Sequence, residues 1–158
     1  MFDGSKMVKR IQEMRDEGYL SDAILRESVK AIKASDDRYN FVGVYLHKPE
    51  ENLLWLHNYV GESTEHAKIT VGEGVCGTAV AERKDQNVGD VSQVGNYIAC
   101  SPRTKSELVV LIRAGDEIFG QIDIDAREKD AFPAEVESNV KLAADKLAEV
   151  FVAERRQA

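Results

Sequence analysis

Cysteine, proline, histidine and tryptophan are scarce in this chain, and no long apolar run occurs. Two cysteines in 158 residues are too few for the disulfide framework of a small secreted domain, so any bond between them is expected to be transient and redox-active. The opening MFDGSKMVKRIQEM lacks an uninterrupted apolar stretch. Nowhere do about 18 apolar residues follow one another, as a spanning helix requires. A cytoplasmic protein is predicted. With 28 acidic against 21 basic residues the formal charge is -7, and without a basic patch a nucleic-acid backbone is a poor partner. His47, His57 and His66 show none of the short spacings of a zinc site, so neither a metal nor an organic cofactor is expected. No internal repeat or low-complexity segment interrupts the chain.

What is present reads as one α+β domain over residues 1–158, with helices in 1–35, a sheet and pocket loops in 39–126, and a helix in 133–155. Met7, Ile11 and Met14 recur at helical spacing, as do Leu25, Val29 and Ile32 beyond the break at Gly18. Ser21 is placed to cap the second helix through its hydroxyl. From Tyr39 the period changes to two, with Phe41, Gly43 and Tyr45 alternating against Val42, Val44 and Leu46. Turn chemistry at 48–52 and a β-rich run at 53–60 complete a hairpin. A short strand at 67–71, a glycine turn and a small-residue helix from Cys76 to Arg83 precede a long irregular segment. Strands at 106–113 and 118–125 follow, then a helix that Pro133 can open. Along it Val136, Val140, Ala143, Leu147 and Val150 form a packing seam for the sheet, the first helices or a second subunit. The terminal helices belong on one face of an antiparallel sheet, leaving the other for a loop-built pocket.

Strand alternation selects the residues that face this pocket. In the run from Gly120 to Ala126, Ile122 and Ile124 claim the core side, so Asp123 and Asp125 point the other way. A solvated sheet face is the plain reading. Glu107 on the neighbouring strand suggests instead three converging carboxylates, whose mutual repulsion raises a pKa and makes a general acid or an ammonium holder. Phe41 and Tyr45 share a face, either as core or as an aromatic wall, while Gly43 leaves room for close approach. Cys76 stands near a helix N-terminus, where the dipole favours a thiolate, and Cys100 lies in a loop. Either cysteine can also be a small buried hydrophobe.

Five motifs in order, Gly74-Val-Cys-Gly-Thr-Ala79, Asp90-Val91, Tyr97-Ile-Ala-Cys100, Ser106-Glu107 and Asp123-Ile-Asp125, resemble the free methionine-(R)-sulfoxide reductases, whose fold is the GAF domain. The resemblance runs from about Phe41 to Asp125. It implies reduction of the free amino acid L-methionine-(R)-sulfoxide, with Cys100 as nucleophile. Glu107, Asp123 and Asp125 would bind and protonate the substrate, and Phe41 and Tyr45 would hold its methyl-sulfoxide end. A sulfenic acid forms on Cys100, Cys76 or an external thiol resolves it, and a thioredoxin-like reductant closes the cycle. The chain departs from the family pattern at several positions. His66 stands where a third cysteine is common, Phe41 where tryptophan is usual, Tyr97 and Ser101 where histidine and aspartate flank the nucleophile, and Leu111 where proline is common. Two other classes share these features: a GAF module that senses a small ligand without chemistry, and an interaction domain that forms a homodimer through its terminal helices.

Overall fold

In the computed structural model, which describes residues 1–95, 97 and 101–157, the apolar stripes become the buried faces of three long helices. Helix α1 (Gly4–Asp16) starts where Asp3 accepts the Lys6 N–H at 3.0 Å, and it buries Met7, Ile11 and Met14. Helix α2 (Ser21–Ala34) buries Ile24, Leu25, Val29 and Ile32. Ser21 does not cap it. Leu20 holds the cap position, no side chain caps the helix, and the Glu154 carboxylate takes the Ser21 N–H at 3.3 Å. An acceptor from the far end of the chain thus replaces the local hydroxyl. The last helix, numbered α4 in chain order, spans Ala134–Gln157. It begins just after Pro133, whose carbonyl accepts from Val136 and Glu137.

The strands are β1 (Tyr39–Lys48), β2 (Leu53–Gly61), β3 (Lys68–Thr70), β4 (Gln86–Val88), β5 (Ser106–Ala114) and β6 (Glu117–Ala126). Helix α3 (Gly74–Glu82) lies between β3 and β4. All neighbours pair antiparallel in one sheet ordered β3-β2-β1-β6-β5-β4. Strand β4 went unread because a three-residue edge strand is too short to display alternation.

Alternation on β1, β5 and β6 sorts the side chains into two layers. Val42, Val44, Leu108, Val110, Ile112, Ile122 and Ile124 join the stripes of α1, α2 and α4 in the larger core. Tyr45, Val109 and Leu111 face the opposite way and meet Leu54, Ile69, Val75, Cys76 and Ala79 in a smaller one. One bulge shifts the register between Tyr39 and Phe41. It turns Tyr39 to the helix side, where its ring stacks on Phe132 at 5.6 Å, and frees Asn40 from the alternation. No helix among the described residues is long and apolar enough to cross a membrane.

Candidate active site

The pocket side of the sheet is set by register across three strands. Glu107 pairs directly with Asp125, and Asp125 in turn with Phe41. One step along, Val109 pairs with Asp123 and Asp123 with Gly43. The next row is Leu111, Gln121 and Tyr45. All nine side-chain positions therefore belong to one face, since registered neighbours point the same way.

Helix α3 lies over this face and delivers Cys76 to the acids. Gly77 lets the helix pack tightly against the end of β3 and the turn that follows it, because a Cβ there would sit 2.5 Å from the Thr70 carbonyl oxygen. The Gln121 side chain donates to the Cys76 carbonyl at 2.9 Å and ties the start of α3 to β6. Donor atoms of Cys76, Glu107 and Asp123 lie within 4.8 Å of one another, and all three residues are buried. The Cys76 thiol donates to Glu107 Oε2 across 3.8 Å. Asp123 is 1% exposed, and neither of its oxygens accepts a hydrogen bond of normal geometry from a described residue. Thr104 donates to Asp125 Oδ2 at 3.5 Å and accepts from Asn40 at 3.0 Å.

This electrostatic setting differs in cause from mutual repulsion among carboxylates. Burial pushes the Asp123 carboxyl above its ordinary value, while nearby Glu107 and Cys76 pull it partly back. Cys76 is on the first turn of α3, yet no thiolate is favoured there. Burial raises its thiol well above the usual cysteine range, and the Asp123 and Glu107 charges push the same way. Desolvation and like charge outweigh the helix dipole at this position.

The aromatic pair is split in its duties. Phe41 is fully buried and stacks on Tyr59 with ring centroids 5.3 Å apart. Its ring also fills the space above Gly43, where a Cβ would meet it at 2.9 Å. The room expected at Gly43 is therefore taken by Phe41 and not left for a ligand. Tyr45 packs in the smaller core and donates its hydroxyl to the His66 carbonyl at 2.9 Å. Cys100, with its neighbours Ile98 and Ala99, lies outside the described residues. Beyond it, Ser101 is buried and accepts the Arg103 N–H at 3.1 Å. Ser101 also helps to hold the Glu62 carboxyl below its ordinary value, with Arg103 3.2 Å away. Leu111 uses the N–H that a proline would lack, donating to Asp85 at 2.8 Å. Gln121 was missed by the sequence reading, although the alternation that selected Asp123 and Asp125 also selects it.

No family model matches the chain. The free methionine-R-sulfoxide reductase of Escherichia coli is 34% identical over 112 residues, covering 71% of this chain and 66% of that protein. A reduced-form structure of the Staphylococcus aureus protein fRMsr is 32% identical, with a TM-score of 0.84 over 95% of this chain and 96% of that one. The chain belongs to the free methionine-R-sulfoxide reductase family. A second structure of the staphylococcal family member, in complex with its substrate, matches with a TM-score of 0.82. A solved GAF domain, 27% identical, matches 94% of the present chain and 89% of its own at a TM-score of 0.80, and the fold of the present chain is that of a GAF domain.

Proposed function

We propose that the chain reduces free methionine-(R)-sulfoxide to methionine, with Cys100 as the attacking thiolate. The observation that carries this reading is Asp123, buried and grouped with Glu107 and Cys76, with no donor of normal hydrogen-bond geometry on either oxygen among the described residues. A carboxyl whose pKa burial raises is suited to give a proton to the sulfoxide oxygen. Cys100 attacks the sulfoxide sulfur, and the protonated oxygen passes to Cys100 as the substrate's S–O bond breaks, so methionine leaves and Cys100 becomes a sulfenic acid. Glu107 and Asp125, paired in register, would hold the ammonium group, while Phe41 and Tyr45 would meet the methyl end.

Cys76 then condenses with the sulfenic acid, releasing water and forming a disulfide. Glu107 is the base within reach, because Oε2 already faces the Cys76 thiol at 3.8 Å. A thioredoxin-like dithiol returns both cysteines to thiols, as the reducing cytoplasm allows and as a role in oxidative stress requires. A homodimer through the terminal helices belongs to the same reading, and exposed Leu142 on α4 is an apolar side chain for such a contact to cover. The cavity lined by Ile69, Val75, Cys76, Glu107 and Asp123 holds only about 10 Å³, roughly one water. An amino-acid substrate must therefore displace rim side chains to reach the acids.

The test is thiol-dependent release of methionine from the separated diastereomers. The R form should turn over, the S form should not, and Cys100→Ser should abolish turnover while leaving the circular dichroism unchanged, since serine is a far poorer nucleophile at neutral pH. A chain that binds the sulfoxide but releases no methionine would be a binding module instead.

A further inference from the structure

The cluster of Cys76, Glu107 and Asp123 combines one sulfur with two carboxylates drawn from three elements, α3, β5 and β6. A sulfur and two oxygens are the donor types that a borderline-soft divalent cation selects, whereas magnesium and calcium want six or more oxygens. We propose that the reduced chain binds one zinc-class divalent cation here, on the Cys76 sulfur and the Glu107 and Asp123 carboxylates. This site rests on the cluster itself and not on the reductase reading.

Three observations support it independently of the residue types. First, bond lengths of about 2.3 Å to sulfur and about 2.1 Å to oxygen put tetrahedral S and O ligands roughly 3.6 Å apart. Cys76 Sγ and Glu107 Oε2 stand 3.8 Å apart, and rotation of the Asp123 carboxylate can shorten the remaining spacings, none of which exceeds 4.8 Å. Second, Asp123 is a buried carboxyl whose two oxygens meet no donor of normal hydrogen-bond geometry among the described residues and interact only with Glu107 and Cys76 of the same cluster, a setting that a cation between the three would satisfy. Third, the cavity at the cluster is of single-ion size, about 10 Å³.

The surroundings suit such an ion as well. Gln121 grips the Cys76 carbonyl at 2.9 Å and fixes the backbone that carries the sulfur. Binding would displace the Cys76 thiol proton into solvent as the metal–sulfur bond forms, with no change of oxidation state. If the reductase reading also holds, a bound ion occupies the acids that the sulfoxide needs and inhibits the reaction.

Titration of the reduced full chain with cobalt(II) tests the site directly. A sulfur-to-cobalt charge-transfer absorption should saturate at one equivalent in the wild type and in Cys100→Ser, vanish in Cys76→Ser, and be displaced by zinc. Asp123→Asn and Glu107→Gln should each weaken cobalt binding by at least about tenfold, which keeps the test decisive should Cys76→Ser fail to fold. The proposal is overturned by the absence of the band in wild type, by a band lost with Cys100 instead of Cys76, or by wild-type affinity in both carboxylate variants. None of these readouts uses catalysis. Sulfoxide reduction without cobalt binding would sink this site alone, and cobalt binding without reduction would sink only the reductase reading.

Discussion

The two faces of the sheet are built from the same strands and differ in almost every other respect. On the helix face, Val42, Leu108, Val110, Ile122 and Ile124 bury only carbon against α1, α2 and α4. On the pocket face, Glu107, Gln121, Asp123 and Asp125 are equally buried, and Asn40, Gln121 and Asp123 each keep at least one oxygen without a hydrogen bond from described residues. The helix face stabilises the domain through apolar area removed from water. The pocket face spends part of that stability on desolvated acids, as binding and catalytic sites commonly do. A domain can carry such a face because its strands alternate, so every acid on one side is matched by an aliphatic side chain on the other.

Substitution of one residue from each face should separate the two roles. Ile124→Ala removes a fully buried side chain and should lower unfolding free energy by about 2–5 kcal/mol, measured by denaturant titration, with per-molecule activity preserved in the folded fraction. Asp123→Asn should do the reverse. Methionine release should fall at least about tenfold, roughly 1.4 kcal/mol, while stability at neutral pH stays level or rises. A destabilised Asp123→Asn protein with normal kinetics would erase the contrast between the faces.

The pH dependence of folding sharpens it. The folded-state pKa of Asp123 is raised by burial, so above the ordinary carboxylate range the folded chain holds a proton that the unfolded chain has released. Stability must therefore fall as pH rises through that window, up to the raised folded value. Cys76 is raised too and adds a second loss that begins at the ordinary cysteine range. Melting curves from pH 4 to 10 should show both declines, with the first reduced in Asp123→Asn and the second reduced in Cys76→Ala. The smallest effect belongs to Ser21→Ala. Its hydroxyl caps nothing, so the change should stay within about 0.5 kcal/mol, and a cost near the roughly 1 kcal/mol of a lost cap would restore the local reading of that helix start.

Much of this comparison is legible in the sequence. Ile122 and Ile124 against Asp123 and Asp125 is a period-two pattern, and the stripes on α1, α2 and α4 repeat every three or four residues. Such periods follow from backbone geometry within one element. Cys76 reads differently in isolation and in place. Its position on a first helical turn suggested a thiolate, but the acids that reverse this come from β5 and β6, 31 and more residues away. Gly43 suggested open space, yet the ring of Phe41, two positions earlier on the same strand, folds back over it.

By itself, then, the sequence determined which residues form the long helices and the long strands, which side of β5 and β6 meets the helices, and which acids share the other side. These follow from spacing along the chain. Only the tertiary structure decided that α3 seals the acids from water, that a bulge at Asn40 breaks the alternation, and that Cys76, Glu107 and Asp123 come within 4.8 Å of one another. Burial and proximity depend on what other elements bring to a residue, and a pKa or a ligand set depends on both.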